Sequence, residues 1–107
     1  MNTFVTEVTE NAVFIGARTF IEPQKITHMK ADINYTIVYY NTGVVKVLSY
    51  TMKLVLKHLE EHEEFVRLSR AEVVNMRYVK KQSPEKFELI NGKKVFLSRR
   101  RKKLLFG

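Results

Sequence analysis

The run from Tyr35 to Leu48 constrains the fold more than any other part of the sequence. All six residues of Tyr35–Tyr40 are aromatic or β-branched, types that suit a pleated, half-buried strand and crowd the turns of a helix. Asn41-Thr42-Gly43 then offers turn chemistry, and residues 44–48 resume an alternation with Lys46 expected outward. That is a β-hairpin. Residues 87–90 and 93–97 flank Asn91-Gly92 and predict a second one, with Asn-Gly expected to supply the positive φ angles of a tight turn. Shorter apolar segments at 12–15, 18–21 and 26–29 add further strands around Gly16 and Pro23.

One segment carries a helical period instead. Thr51 is placed to cap it, and Met52, Val55, Leu56 and Leu59 recur at helical spacing. Lys53, Lys57, Glu60, Glu61 and Glu64 are expected to face water. Residues 99–105 read as a short terminal helix or a basic tail. His58-Leu59-Glu60-Glu61-His62 matches H-x-x-E-H, a pattern that can hold zinc with glutamate as general base. With Met52 at zero and about 100° per residue, His58 falls near −120°, His62 near −80° and Glu61 near 180°. Both histidines therefore sit at the rim of the apolar stripe and read as boundary residues. His28, in an apolar strand, reads as structural. No Gly-rich phosphate loop or G-x-S-x-G element is present, so neither an enzyme nor a cofactor is expected.

The chain has 107 residues and no cysteine. One domain fits that length, and disulfides, thiolate metal sites and cysteine nucleophiles are excluded. No apolar run reaches the ~18 residues of a membrane span, and Glu7 and Glu10 argue against a secretory leader. A cytoplasmic protein is expected. Charge is distributed unevenly: residues 1–64 hold six basic and eight acidic side chains, and residues 65–107 hold thirteen basic and three acidic. A basic excess confined to one stretch is an electrostatic footprint for a polyanion, most often nucleic acid.

Within that stretch two short echoes stand out, Arg67-Leu68-Ser69-Arg70 and Phe96-Leu97-Ser98-Arg99. Each runs an apolar segment into a Ser-Arg tip, and both tips are expected to project from one rigid sheet. Arginine's planar fork matches guanine O6 and N7, and Lys and Arg hold phosphates. Asn34 makes a third tip, with two open readings: a bidentate adenine contact, or stabilisation of its own turn.

From about Pro23 onward the sequence resembles the LytTR DNA-binding domain of bacterial response regulators. The resemblance is carried by Ile26-Thr27-His28-Met29, Asp32-Ile33-Asn34-Tyr35-Thr36 and Asn41-Thr42-Gly43. It continues through Thr51-Met52-Lys53 to Leu59-Glu60, and is densest at Phe65-Val66-Arg67-Leu68-Ser69-Arg70-Ala71 with Val73-Val74-Asn75. Asn91-Gly92 and Leu97-Ser98-Arg99-Arg100 close it. It implies a mainly β, elongated, multi-stranded fold with one central helix and a short C-terminal helix or basic tail. It also implies sequence-specific binding of double-stranded DNA by loop tips in successive major grooves, on tandem repeats occupied by two copies. The base-reading positions fall on Asn34, Arg70 and Arg100; phosphate contacts are expected from Lys30, Ser69, Arg77, Arg99 and Lys102.

Where the family usually has His-Arg-Ser this chain has Ser69-Arg70-Ala71, so the family's site preference does not carry over. Residues 1–22 are expected to form an added β extension, edge-capping or dimerising, before a LytTR-like domain at 23–107. The length leaves no room for a receiver domain, so regulation is expected through expression level, a membrane partner or another regulatory protein. Two rival functions remain: a single-stranded nucleic-acid binder stacking bases on Tyr35, Tyr39 and Tyr40, and a protein-interaction module that antagonises another regulator.

Overall fold

Strand β3 (Ile26–Asp32) pairs on one side with the next strand in the chain and on the other with a strand more than forty residues away. The computed structural model describes residues 12–16 and 18–107. On one side β3 pairs with β4 (Tyr35–Tyr40), which continues to β5 (Val45–Leu48). On the other it pairs with β7 (Glu72–Asn75), flanked by β6 (Phe65–Arg67). The result is a five-stranded antiparallel sheet in the order β5-β4-β3-β7-β6. Strands β8 (Val79–Gln82), β9 (Lys86–Leu89) and β10 (Lys94–Phe96) form a second sheet. Strands β1 (Val13–Phe14) and β2 (Phe20–Ile21) pair with each other. Helix α1 spans Met52–His58 and helix α2 spans Arg99–Phe106. The molecule is elongated, 53 × 26 × 22 Å.

Side chains of a strand alternate between faces, and the five-stranded sheet uses both. Val73 joins Met29, Val38 and Leu48 in a core closed by Met52 and Val55 of α1, by Leu59 just after it, and by Ile15 and Ile21 from the β1–β2 hairpin. Its neighbour Val74 joins Leu68, Phe87, Leu89 and Val95 in a second core beneath the three-stranded sheet. This three-layer arrangement explains why Ile26, Thr27, His28 and Met29 are all buried in succession. The helix forms as its stripe predicts: the Thr51 hydroxyl accepts from the Leu54 N–H at 3.3 Å, closing an orphan donor of the first turn.

Several sequence expectations need correction. Lys46 does not point outward; it shares the Leu48 face, donates to the Phe20 carbonyl at 2.6 Å and lies 4.4 Å from that ring's centre. Val45 and Val47 take the exposed face instead. A lysine over an aromatic ring with a carbonyl acceptor is a satisfied cation, so the strand keeps its alternation with the lysine on the covered face. At Asn91-Gly92 only glycine has positive φ (90°); Asn91 closes the loop through its side chain, accepting the Lys93 N–H at 2.9 Å. Helix α1 ends at His58, so Glu64 is not on it; it is partly covered and lies 3.6 Å from His62. For the same reason His58 and His62 share no helical face. Strand β8 carried too little apolar signal to be read. Of the extension at 1–22, residues 1–11 lie outside the described residues. The described part caps no sheet edge but folds onto the main core as its own hairpin.

Asn75 ends β7 fully buried. Its amide donates to the Ile26 carbonyl at 2.9 Å and approaches the Pro23 carbonyl at 3.4 Å, while its Oδ1 accepts the Arg77 N–H at 2.9 Å. Truncation strands these backbone groups inside the protein. Asn75→Ala should cost about 2–4 kcal/mol in urea unfolding; a loss below 1 kcal/mol contradicts the assignment. His28 is also buried, stacked on Tyr39 with ring centres 4.3 Å apart and its Nδ1 2.9 Å from the Thr27 hydroxyl. Burial, then the Lys93 charge, pushes its pKa down from 6.5 to about 4. The unfolded chain thus takes up this proton at a higher pH than the native one. The stability involved is intact above pH 6.5 and lost as pH falls toward 4, on the order of 3 kcal/mol in full. His28→Phe should remove that part of the acid sensitivity; parallel stability–pH curves for the two proteins contradict it.

Candidate nucleic-acid interface

The β3–β4 and β6–β7 connections leave the same end of the five-stranded sheet. Asp32 pairs with Tyr35, leaving Ile33 and Asn34 as a two-residue loop, with Asn34 exposed. Lys30 pairs with Glu72, so the loop carrying Ser69 and Arg70 lies beside that first loop. A backbone hydrogen bond joins them, from the Ala31 N–H to the Ala71 carbonyl at 2.7 Å. A second bond, from the Ser98 N–H to the Leu68 carbonyl at 2.8 Å, fastens the start of α2 to the end of β6. Asn34, Arg70 and Arg100 are thereby mounted on one backbone network although 66 positions separate the first from the last. The two Ser-Arg tips do not come from one sheet, as the sequence suggested. They come from different sheets tied at this junction.

Each serine does local work that leaves the arginine of its tip free, Arg70 directly after Ser69 and Arg100 two residues after Ser98. The Ser69 hydroxyl oxygen accepts the Ala71 and Glu72 N–H groups at 3.2 and 3.1 Å, closing the β6–β7 turn. Its own O–H remains available to donate. The Ser98 hydroxyl caps α2, accepting the Arg101 N–H at 3.2 Å. Arg70 and Arg100 are exposed. With Arg67, Ser98 and Arg101 they line a cavity of about 460 Å³. Arg67 and Arg101 belong to the basic stretch noted in the sequence, but neither was assigned a site role from it. The signal was the Arg67-x-x-Arg70 spacing, which spans a tight turn and returns both side chains to one place.

The remaining sequence-expected phosphate groups are dispersed. Lys30 is exposed on β3, and Arg99 with Lys102 and Lys103 lies on the other side of α2, around a cleft that includes Phe106 and Pro84. Lys102 is engaged at 2.9 Å with Glu85, whose carboxyl is held below the usual range by that hydrogen bond and by the lysine charge. This contact and the Phe87–Phe106 edge contact at 6.3 Å seat α2 against the three-stranded sheet. Arg77 is exposed beyond Asn75, at the end of the sheet away from the tips. Of the three tyrosines, Tyr40 is buried and Tyr39 is covered by His28; Tyr35, half exposed, is the open one. A multi-ring stacking platform is therefore not assembled. No cluster of three or more metal-ligating side chains occurs among the described residues, and no helix there is long and apolar enough to cross a membrane.

The tip holds one strained position. Ile33 has φ 53° and is 87% exposed. A β-branched side chain in the left-handed region is costly, about 1–2 kcal/mol. Ile33→Gly relieves that strain and concedes part of the gain as unfolded-chain entropy. Its free energy of unfolding in urea should rise, by about 1 kcal/mol or less; a fall contradicts the strain.

The architecture is similar to a solved LytTr DNA-binding domain of a response regulator from Bacillus cereus. The TM-score is 0.71 at 17% sequence identity, over 90% of this chain and 94% of that one. No curated protein matches the chain. The family model described as the LytTr DNA-binding domain matches residues 16–107, nearly the whole of the described fold. The mainly β architecture, the two helices and that match agree, and the chain belongs to the LytTr DNA-binding domain family, a bacterial family of DNA-binding transcription regulators.

Proposed function

We propose that this protein reads a specific double-stranded DNA sequence with three tips, Asn34, Arg70 and Arg100, inserted into successive major grooves. Arg70 and Arg100 chelate guanine edges and Asn34 an adenine edge. Lys30, Ser69, Arg77, Arg99 and Lys102 hold phosphates and set the register of the domain on the duplex. The observation that carries this reading is the backbone network at one end of the sheet. The bonds Ala31–Ala71 and Leu68–Ser98 hold three exposed, base-competent side chains to a common scaffold. Two copies occupy tandem repeats, and a separate regulatory protein or a membrane partner controls access to them. Action on DNA places the protein in the bacterial cytoplasm. Glu85 competes with phosphate for Lys102, so that lysine contributes charge to the field more than a fixed contact.

Selection from a random duplex library at near-physiological salt tests the reading. A short enriched motif, in spaced tandem, is expected; retention without enrichment reduces the protein to a non-specific basic surface. On the enriched site, Arg70→Ala or Arg100→Ala should each lose about 1–3 kcal/mol and relax discrimination at one position. Lys102→Ala should weaken specific and random duplex alike and lower the slope of log affinity against log salt by about 1 or less. An Arg70→Ala protein with an unchanged specific-to-random ratio removes Arg70 from base reading.

A further inference from the structure

We infer that Arg67 is a positioning residue for base discrimination: its guanidinium clamps the tip loop and fixes the direction in which Arg70 leaves it. The inference rests on the proposal that Arg70 reads DNA. Arg67 is the last residue of β6, and its Nε donates to the Ser69 carbonyl at 3.1 Å while its Nη2 donates to the Arg70 carbonyl at 2.6 Å. Those carbonyls belong to the two peptides that flank the Arg70 Cα and so the root of its side chain. Neither accepts a backbone N–H among the described residues. A planar fork gripping two successive carbonyls fixes the backbone on both sides of the residue between them, which a single flexible ammonium cannot do.

The clamp has an electrostatic cost that the hairpin does not require. Arg67 is partly buried, and burial, then the charges of Arg101 and Arg70, lower its pKa. The β6–β7 turn is closed without it. The Leu68 N–H reaches the Glu72 carbonyl at 2.9 Å, and the Ser69 hydroxyl accepts two further N–H groups. A cation kept beside two like charges, bonded among the described residues only to the carbonyls of the tip, serves the aim of the tip. Like charges converging on the cavity also give a DNA phosphate a reason to enter. The clamp and a direct phosphate contact make different predictions.

The test uses the full chain and fluorescence-labelled duplexes: the motif enriched by the wild-type protein, and a scrambled duplex of equal length, titrated over a range of salt. Arg67→Lys keeps the charge and loses the fork. Its specific-to-random ratio should fall at least fivefold, while random-duplex affinity and salt slope stay within twofold of wild type. Arg67→Lys combined with Arg70→Ala should discriminate no worse than Arg70→Ala alone, because there is no longer a reader to aim. Thermal melting accompanies each variant. If the lysine variant melts early, Arg67→Gln, which keeps a donor, takes its place and should also lose discrimination. A ratio retained within twofold overturns the inference, as does an equal loss on both duplexes, which marks a phosphate contact, or independent losses in the double variant. A wild-type protein that enriches no motif overturns the underlying reading and the clamp with it, a result distinct from all of these.

Discussion

The register between β3 and β7 is the constraint on which the rest of this structure depends. It joins segments more than forty residues apart, His28 to Val74 and Lys30 to Glu72, whereas the β3–β4 and β4–β5 pairings are between sequence neighbours. A one-residue slip turns every β7 side chain to the opposite face. Val73 then leaves the core under α1 and Val74 leaves the core under the second sheet, so both hydrophobic clusters reject it. Asn75 adds polar discrimination, because its amide reaches the Ile26 and Pro23 carbonyls only in this register. At the far end the same register brings Ala31 to Ala71. The geometry of the tip-bearing end is thus set by packing and hydrogen bonds a full strand length away.

The charge distribution then takes on structural meaning. Thirteen of the nineteen basic side chains lie in residues 65–107, which form β6 to β10 and α2. Arg99, Arg100 and Arg101 occupy the first turn of α2, where the helix macrodipole already presents positive charge and no acidic residue offsets it. This is an unfavourable arrangement for an isolated protein. A polyanion relieves it, because released counterions and neutralised repulsion act in the same direction. Lys102–Glu85 and the Phe106–Phe87 contact hold α2 in place against that repulsion. The fold spends part of its stability to keep a cationic end intact.

What the sequence made legible was whatever is decided locally. The hairpin of β4 and β5, the capped stripe of α1 and the Asn-Gly connection rest on contacts between near neighbours, and each formed. Errors arose where a distant partner decides. Lys46 faces inward because Phe20 supplies a ring and a carbonyl, and nothing near Lys46 in sequence announces either. Strand β8 failed for a different reason: its partner β9 is the next strand in the chain, but Val79-Lys80-Lys81-Gln82 has little apolar content of its own to announce a strand. Asn34, Arg70 and Arg100 could be picked out as tips, yet their attachment to two sheets rather than one depends on the Leu68–Ser98 bond. Arg67 escaped notice as a site residue for the same reason. Its importance lies in the two carbonyls it grips, and backbone acceptors have no signature in sequence.

The Ser-Arg echo has a physical origin in these two settings. At residue 69 the backbone must reverse between antiparallel strands, and at residue 98 it must enter a helix. Both events leave N–H groups two and three residues ahead without backbone partners. A short side-chain oxygen can satisfy them, and serine supplies it at Ala71 and Glu72 in one case and at Arg101 in the other. With the local donors satisfied by its neighbour, the arginine that follows has no structural duty to its own turn and remains in solvent. Arg67 is the counterexample that sharpens the rule: two of its donors are committed to carbonyls, so it shapes the turn and cannot reach as far. The dipeptide recurs because two unrelated turns pose one problem, holding a tip rigid while leaving its cation free.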